Sequence, residues 1–388
     1  MDTIQKFDKY VVHSYNRYPL VMDSGCGVEC CDENQKKYID FGSGIGVNSL
    51  GFCDTQWADA VAEQAKTLQH CSNYYYTAVQ AEFAEKLCNA SKYEKVFFCN
   101  SGAEANECAI KTARKYSFDK YGKGRSNIIT LNSSFHGRTM ATVSATGQEV
   151  FHNYFFPFLE GFVNAEPNNI EDLKSKLDDT ICAVMMEYIQ GEGGVNNLEQ
   201  DFVDAVYELC HERDILIIAD EVQTGIGRTG KFLAGENFSK KADMTTLAKG
   251  IAGGLPMGAC LMGEKVMNTL IPGTHASTFG GNPVSCAGGI VVVDRVSNEN
   301  FLDTVNEKSA YFRKRLEKCS KIEKISGMGL MIGITLKDMS ASDVAKQAFD
   351  KGLLVLTAKD KLRFLPPLTI DYKEIDKGLD ILIEILEG

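Results

Sequence analysis

The sequence predicts an α/β fold, with a large domain on a mostly parallel sheet and a smaller α+β domain after it. Three observations carry this reading. Short apolar runs recur in mid-chain, at 96–99, Asn127–Leu131, Ile181–Met186 and 215–219. Their length and content suit strands buried on both faces. Between the last two lies FVDAVYELCHER, where Phe202, Val206, Leu209 and Cys210 recur at helical spacing. Strand, amphipathic helix and strand make a right-handed βαβ unit. Finally, the C-terminal quarter changes character. Helical patterns at 286–296 and 301–319 precede strand patterns at 330–336 and 353–357, and a helical pattern at 373–386 closes the chain.

The N-terminal stretch carries short strand signals at 27–31 and 37–41. They are expected to pack with the smaller domain. The division is then an N-terminal segment 1–50, a large domain 51–285 and a small domain 286–388. A length of 388 residues fits two or three domains at about 150 residues each.

Charge narrows the partners. The net charge is -11, whereas nucleic acid and anionic membrane call for a basic surface. No secretory leader pattern opens the chain, and no apolar run is long enough to span a bilayer. Thirteen cysteines are scattered without a C-x-x-C pair. Free thiols in a reducing cytoplasm are the expected state. Cys26, Cys30 and Cys31 lie close together, but their spacing is poor for zinc, and no metal is expected.

Ligands in open parallel sheets bind beyond the carboxyl ends of the strands. Those ends are polar here. Ser101, Gly102 and Ala103 follow the run 96–99 and open a helix. Backbone N–H groups and the helix dipole favour a phosphate there, although an ordinary N-cap by Ser101 uses the same residues. Asp220 ends the run 215–219 and is followed by Glu221, Val222 and Gln223. A carboxylate there suits a metal, a ribose, a protonated ring nitrogen or a plain turn. Lys249 sits in an apolar, glycine-rich stretch. Burial lowers a lysine pKa and makes the amine nucleophilic toward carbonyls; a lysine reaching back to solvent is the other reading.

Four more segments add to these. Phe135 and His136 beside Arg138 suit a flat ring next to an anion. Glu187 and Glu192 flank a glycine-rich loop. Ser277 and Thr278 sit in a small-residue turn ahead of a helix. Arg363 precedes a Pro-Pro pair. Each also reads as an ordinary loop. Together, a phosphate cradle, a flat-ring site, a strand-end carboxylate and a buried lysine describe one cofactor, pyridoxal 5'-phosphate.

The segments SGAEAN, FHGRT, GEGG, ADEVQTGIGRTG, LAKG, HASTFGGNP and RFLPP stand in this order along the chain. In that order the chain resembles the class III, ornithine-type aminotransferases, nearest to their acetylornithine-using bacterial branch. The likeness runs from YIDFGSGIGVNSLG to the C-terminal helix. It implies the fold type I of pyridoxal-phosphate transferases and a ping-pong transfer from acetylornithine to 2-oxoglutarate. Lys249 would hold the cofactor aldehyde, and Asp220 would pair with its ring nitrogen. Val222 and Phe135 would cover the two ring faces, with His136, Glu221 and Gln223 close by. Ser101, Gly102 and Ala103 would hold the phosphate. Thr278 would reach the phosphate in a second subunit, which implies a homodimer.

On the substrate side, the resemblance assigns the distal carboxylate to Arg138, with Ser277 beside it. It assigns the α-carboxylate of glutamate to Arg363, with Glu192 covering that arginine when no carboxylate is present. Gly44 aligns with a tyrosine of ornithine-specific members, which favours an acylated donor over ornithine. Succinylornithine and 4-aminobutyrate remain alternatives. Tyr188 departs from a proline common in the family, and Phe52 and Asp54 replace histidines.

Overall fold

A computed structural model describes all 388 residues. A seven-stranded sheet lies at its centre. The strand order is Lys95–Cys99, Gly258–Met262, Met244–Leu247, Leu216–Asp220, Ile181–Met186, Asn127–Leu131 and Phe162–Ala165. Every neighbouring pair is parallel except the two made by Gly258–Met262. All six residues of Ile181–Met186 are buried, as expected of a parallel strand covered by helices on both faces.

The predicted βαβ unit forms. Leu216 pairs with Ala183 and Ala219 with Met186 in parallel register. The crossover helix Gln200–Glu212 buries Phe202, Val203, Val206 and Cys210, which recur at the i, i+3, i+4 spacing of one helix face. Register also sets the site. Asp220 is the last strand residue and pairs with Thr246. Lys249 begins a short turn of helix just after the neighbouring strand Met244–Leu247. Both residues therefore lie on the carboxyl edge of adjacent strands.

The C-terminal part builds a second sheet, in the order Ile322–Met328, Met331–Leu336, Lys361–Phe364 and Leu356–Ala358. Helices Glu299–Leu316, Ala341–Asp350 and Tyr372–Glu387 accompany it. The single strand expected over 353–357 is in fact two. Leu353–Leu354 pairs with Lys37–Asp40, and Leu356–Ala358 pairs with Lys361–Phe364. An apolar run shows that a segment is buried, but not where it changes partner. Met22–Cys26, Glu29–Asp32 and Lys37–Asp40 complete the N-terminal sheet.

Phe41, Phe312 and Phe364 knit these parts together. All three are fully buried, with ring centroids 5.4 to 6.2 Å apart. Replacing Phe312 by alanine removes the ring that contacts both others. It is expected to cost about 3–5 kcal/mol. An earlier transition in thermal unfolding, followed by circular dichroism, would show it; an unchanged melt would contradict this packing account.

No helix is long and apolar enough to cross a membrane. All thirteen cysteines are free, and no His/Cys/Asp/Glu cluster is arranged to hold a metal ion.

Candidate active site

Asp220 is the best-held group at the sheet edge. It is buried, and its Oδ2 accepts from His136 Nδ1 at 2.7 Å and from Asn106 Nδ2 at 2.8 Å. Its Oδ1 accepts from the Val222 backbone N–H at 3.1 Å. Asn106 is fixed in turn. It donates to the His136 carbonyl at 2.7 Å, and its own oxygen accepts from the Thr246 hydroxyl at 2.7 Å. Burial works against charge on His136. The hydrogen bond to Asp220 and that carboxylate's charge outweigh it, so the imidazole pKa lies above its usual value. Its Nε2 is buried without a partner.

Lys249 faces this carboxylate environment without a hydrogen bond of its own. Desolvation lowers its pKa, opposed by the negative charges of Glu192 and Asp220. Its backbone is left-handed, φ 43°, a conformation that costs a non-glycine residue about 1 kcal/mol or more.

The helix Gly102–Tyr121 starts beside this group, with Ser101 capping it through the Glu104 N–H at 3.2 Å. Val222 packs directly on Gly102. A Cβ at position 102 would come within 2.7 Å of Val222 Cγ1. Glycine is thus required for Val222 and the helix N-terminus to meet. Phe135 lies nearby in sequence to His136, edge-on to Phe151 at 5.6 Å. The Arg138 guanidinium stacks over Phe151 at 4.1 Å and Phe135 at 5.4 Å, and no carboxylate of the chain pairs with it.

Arg363 is the second buried cation. It lies on strand Lys361–Phe364, paired with Gly333 on one side and Leu356 on the other, rather than in a loop. Glu192 grips it with two oxygens, at 2.6 and 3.3 Å. Gln223 Oε1 accepts from the same guanidinium at 3.0 Å, and Gln223 Nε2 donates to Glu192 at 3.3 Å. Burial alone raises the Glu192 carboxyl. The Arg363 charge and hydrogen bonds, with help from Lys249, hold it below the usual range.

The structure does not bring every expected residue to this place. Glu221 turns the other way, and its carboxylate accepts from the Ala234 and Gly235 N–H groups at 2.5 and 2.9 Å. Asp220 is the last residue of its strand, and Glu221, the first beyond it, turns to the N–H groups of the segment Ala234–Phe238. Thr278 is exposed. Ser277 lies by the helix start, its hydroxyl accepting from Asn100 Nδ2 at 3.2 Å and from the Gly280 N–H at 3.1 Å.

Two residues that hold the site have no role assigned from sequence, although Glu187 stands out there beside its glycine-rich loop. Asn106 is a buried amide one turn from Ala109 and Ile110 on a mostly apolar helix face, and that mismatch is a usable signal. Glu187 accepts from the Phe135 and Gly191 N–H groups at 2.9 and 3.3 Å, a contact between loops that spacing does not reveal.

The donor set fits pyridoxal phosphate. A buried carboxylate suits a protonated ring nitrogen, a desolvated amine suits an aldehyde, and a helix N-terminus suits a phosphate.

Comparison with known proteins agrees. The family model "Aminotransferase class-III" matches residues 10–386. The acetylornithine aminotransferase of Haemophilus ducreyi is 48% identical, covering 99% of this chain and 98% of its own length. That of Aquifex aeolicus is 47% identical, with 97% and 100% covered. Among solved structures, N-acetylornithine aminotransferase from Stenotrophomonas maltophilia superposes with a TM-score of 0.86 at 34% identity, with 99% and 98% covered. Ornithine aminotransferase from Toxoplasma gondii reaches 0.94 at 30% identity, with 99% and 94% covered. With sheet order, site geometry and near full-length matches in accord, this chain belongs to the class III aminotransferase family.

Proposed function

We propose that this enzyme transfers the terminal amino group of N2-acetylornithine to 2-oxoglutarate, the first product leaving before the second substrate enters. The observation that carries this reading is the Arg363–Glu192–Gln223 cluster. Acetylornithine reacts through its terminal amine, so no carboxylate lies beside the reacting carbon. Glutamate and 2-oxoglutarate bring one. An unpaired buried guanidinium is costly, commonly several kcal/mol. Glu192 neutralises Arg363 while the donor reacts and withdraws when the acceptor's carboxylate takes its place.

Pyridoxal phosphate is the cofactor of this family and, when bound, supplies the electron sink that lets the substrate carbon lose a proton. Lys249 Nζ anchors it and moves that proton, a task suited to an amine whose pKa burial has lowered. Asp220 would hold the ring nitrogen protonated, and Val222 and Phe135 would cover the two ring faces. Ser101, Gly102 and Ala103 would present N–H groups to the phosphate, and Gln223, bonded to Arg363 and Glu192, would stand close to the ring. Arg138, exposed and free of carboxylates, takes the donor's distal carboxylate with Ser277 beside it. Gly44 leaves its turn without a side chain, which gives room for an acyl group.

The same reading makes the protein a homodimer in which Thr278 serves the second subunit's phosphate site. Exposure of Phe279, Tyr74, Tyr75 and Tyr76 around it supports this, because large apolar patches mark interaction surfaces. It also divides the chain at residues 50 and 285, and a cytoplasmic setting suits thirteen free thiols.

A donor panel tests the substrate. Acetylornithine, succinylornithine, ornithine and 4-aminobutyrate are each assayed with 2-oxoglutarate. Acetylornithine is expected to lead in kcat/KM by roughly tenfold or more over ornithine. A lead for 4-aminobutyrate would overturn the assignment.

A further inference from the structure

Arg228 is a buried guanidinium that the mechanism above does not use. It is 2% exposed. No carboxylate influences it; burial alone acts on it and pulls its pKa down to about 9, which leaves it charged at neutrality. Its Nη1 donates to the Leu330 carbonyl at 3.1 Å and to the Pro366 carbonyl at 2.5 Å. Its Nη2 is buried without a partner. A charge held only by backbone carbonyls is costly to keep, and a methionine of similar length would fill the space without that cost.

What it joins explains the cost. Arg228 follows Asp220, Val222 and Gln223 in one continuous loop. Pro366 lies three residues after Arg363, and Leu330 leads into the strand Met331–Leu336 that pairs with Arg363's own strand. The loop and the hairpin also interlock through the backbone. Leu330 N–H donates to the Arg228 carbonyl at 3.0 Å. A Cβ at Gly329 would sit 2.5 Å from that same carbonyl oxygen. One side chain thus ties the loop that begins at Asp220 to both chain segments that flank Arg363.

We infer that Arg228 is a positioning residue for the acceptor half of the reaction: its guanidinium, bonded through Nη1 to the Leu330 and Pro366 carbonyls, fixes Arg363 relative to Asp220 and Lys249. This rests on the assignment of Arg363 to the acceptor's carboxylate. The geometry matters because that carboxylate and the reacting carbon belong to one small molecule, held at one end by the strand and at the other by the sheet edge. A shift of about 1 Å in such a site costs up to roughly a hundredfold in rate. The donor half does not seat a carboxylate on Arg363, so it tolerates the same shift. A lysine at 228 keeps the charge, but its compact ammonium on a flexible stem lacks the planar, pre-organised guanidinium that holds both carbonyls at a fixed place.

The test compares Arg228→Lys and Arg228→Met with Arg363→Lys. Each half-reaction is followed separately in single turnovers, and thermal stabilisation by 2-oxoglutarate is measured in parallel. Arg228→Lys is expected to lower kcat/KM for 2-oxoglutarate roughly 10- to 100-fold, mostly through KM. The donor half should stay within about threefold, and stabilisation by 2-oxoglutarate should shrink. If Arg228→Met does not fold, Arg228→Lys alone decides. Equal losses in both halves would mean a purely structural arginine and would overturn the inference. If Arg363→Lys leaves 2-oxoglutarate kinetics unchanged, the assignment of Arg363 itself is wrong and the inference falls with it. A fall with Arg363→Lys but none with Arg228→Lys overturns the inference alone.

Discussion

Replacing Lys249 by alanine is expected to lower turnover at least roughly ten-thousandfold. No other amine can substitute. The charged groups nearest to it are Glu192, Asp220, Arg363 and Glu187, two of which are already engaged with each other. Desolvation lowers the Lys249 pKa, which favours proton release at the atom that must take and return a proton. Its left-handed backbone is relaxed by no feature of alanine, so the fold should survive and only the chemistry should be lost. Steady-state turnover, with a thermal melt as control, checks this. Partial recovery with added small primary amines would show that the missing function is the proton carrier. Activity within tenfold of the parent would remove Lys249 from the mechanism.

Asp220→Asn carries the second largest effect, roughly a hundred- to a thousandfold in kcat. The substitution is close to isosteric, so the loss reports charge and hydrogen-bond direction. Asp220 only accepts hydrogen bonds, from His136, Asn106 and Val222. An amide must turn its NH2 toward one of those donors. If it faces His136, the imidazole loses the carboxylate that raises its pKa. If it faces Val222, it confronts a backbone N–H and offers the site a donor where an acceptor is needed. Either way a protonated ring nitrogen loses its counter-charge. Kinetics of both half-reactions should fall together, in contrast to the one-sided loss expected at Arg228. A variant with normal kcat would show that charge at position 220 is not used.

Much of the site is legible along the chain because strand ends are punctuated by polar residues. Asp220 closes an apolar run, and Lys249 stands in a stretch with no other charge. Helix Gly102–Tyr121 begins where small residues follow a strand. These are local signals. Spacing alone would also have sent Glu221 into the site, and only the folded chain shows that the two neighbouring carboxylates part company, Asp220 to His136 and Glu221 to the Ala234 and Gly235 N–H groups. Arg363 illustrates the opposite case. It reads as the start of a rigid turn, yet it is the middle of a ladder flanked on both sides.

The order of apolar runs, their lengths and the helical period between them determined the α/β architecture, because burial follows period and composition. The residue types at the strand ends determined the cofactor, because each answers one of its chemical groups. Tertiary structure decided which of those residues meet. Asn106 holding Asp220, Glu192 closing on Arg363, and Arg228 reaching Pro366 join residues 114, 171 and 138 positions apart. Such contacts depend on strand order and on how the two sheets seat against each other. Neither is written in any local stretch of the chain.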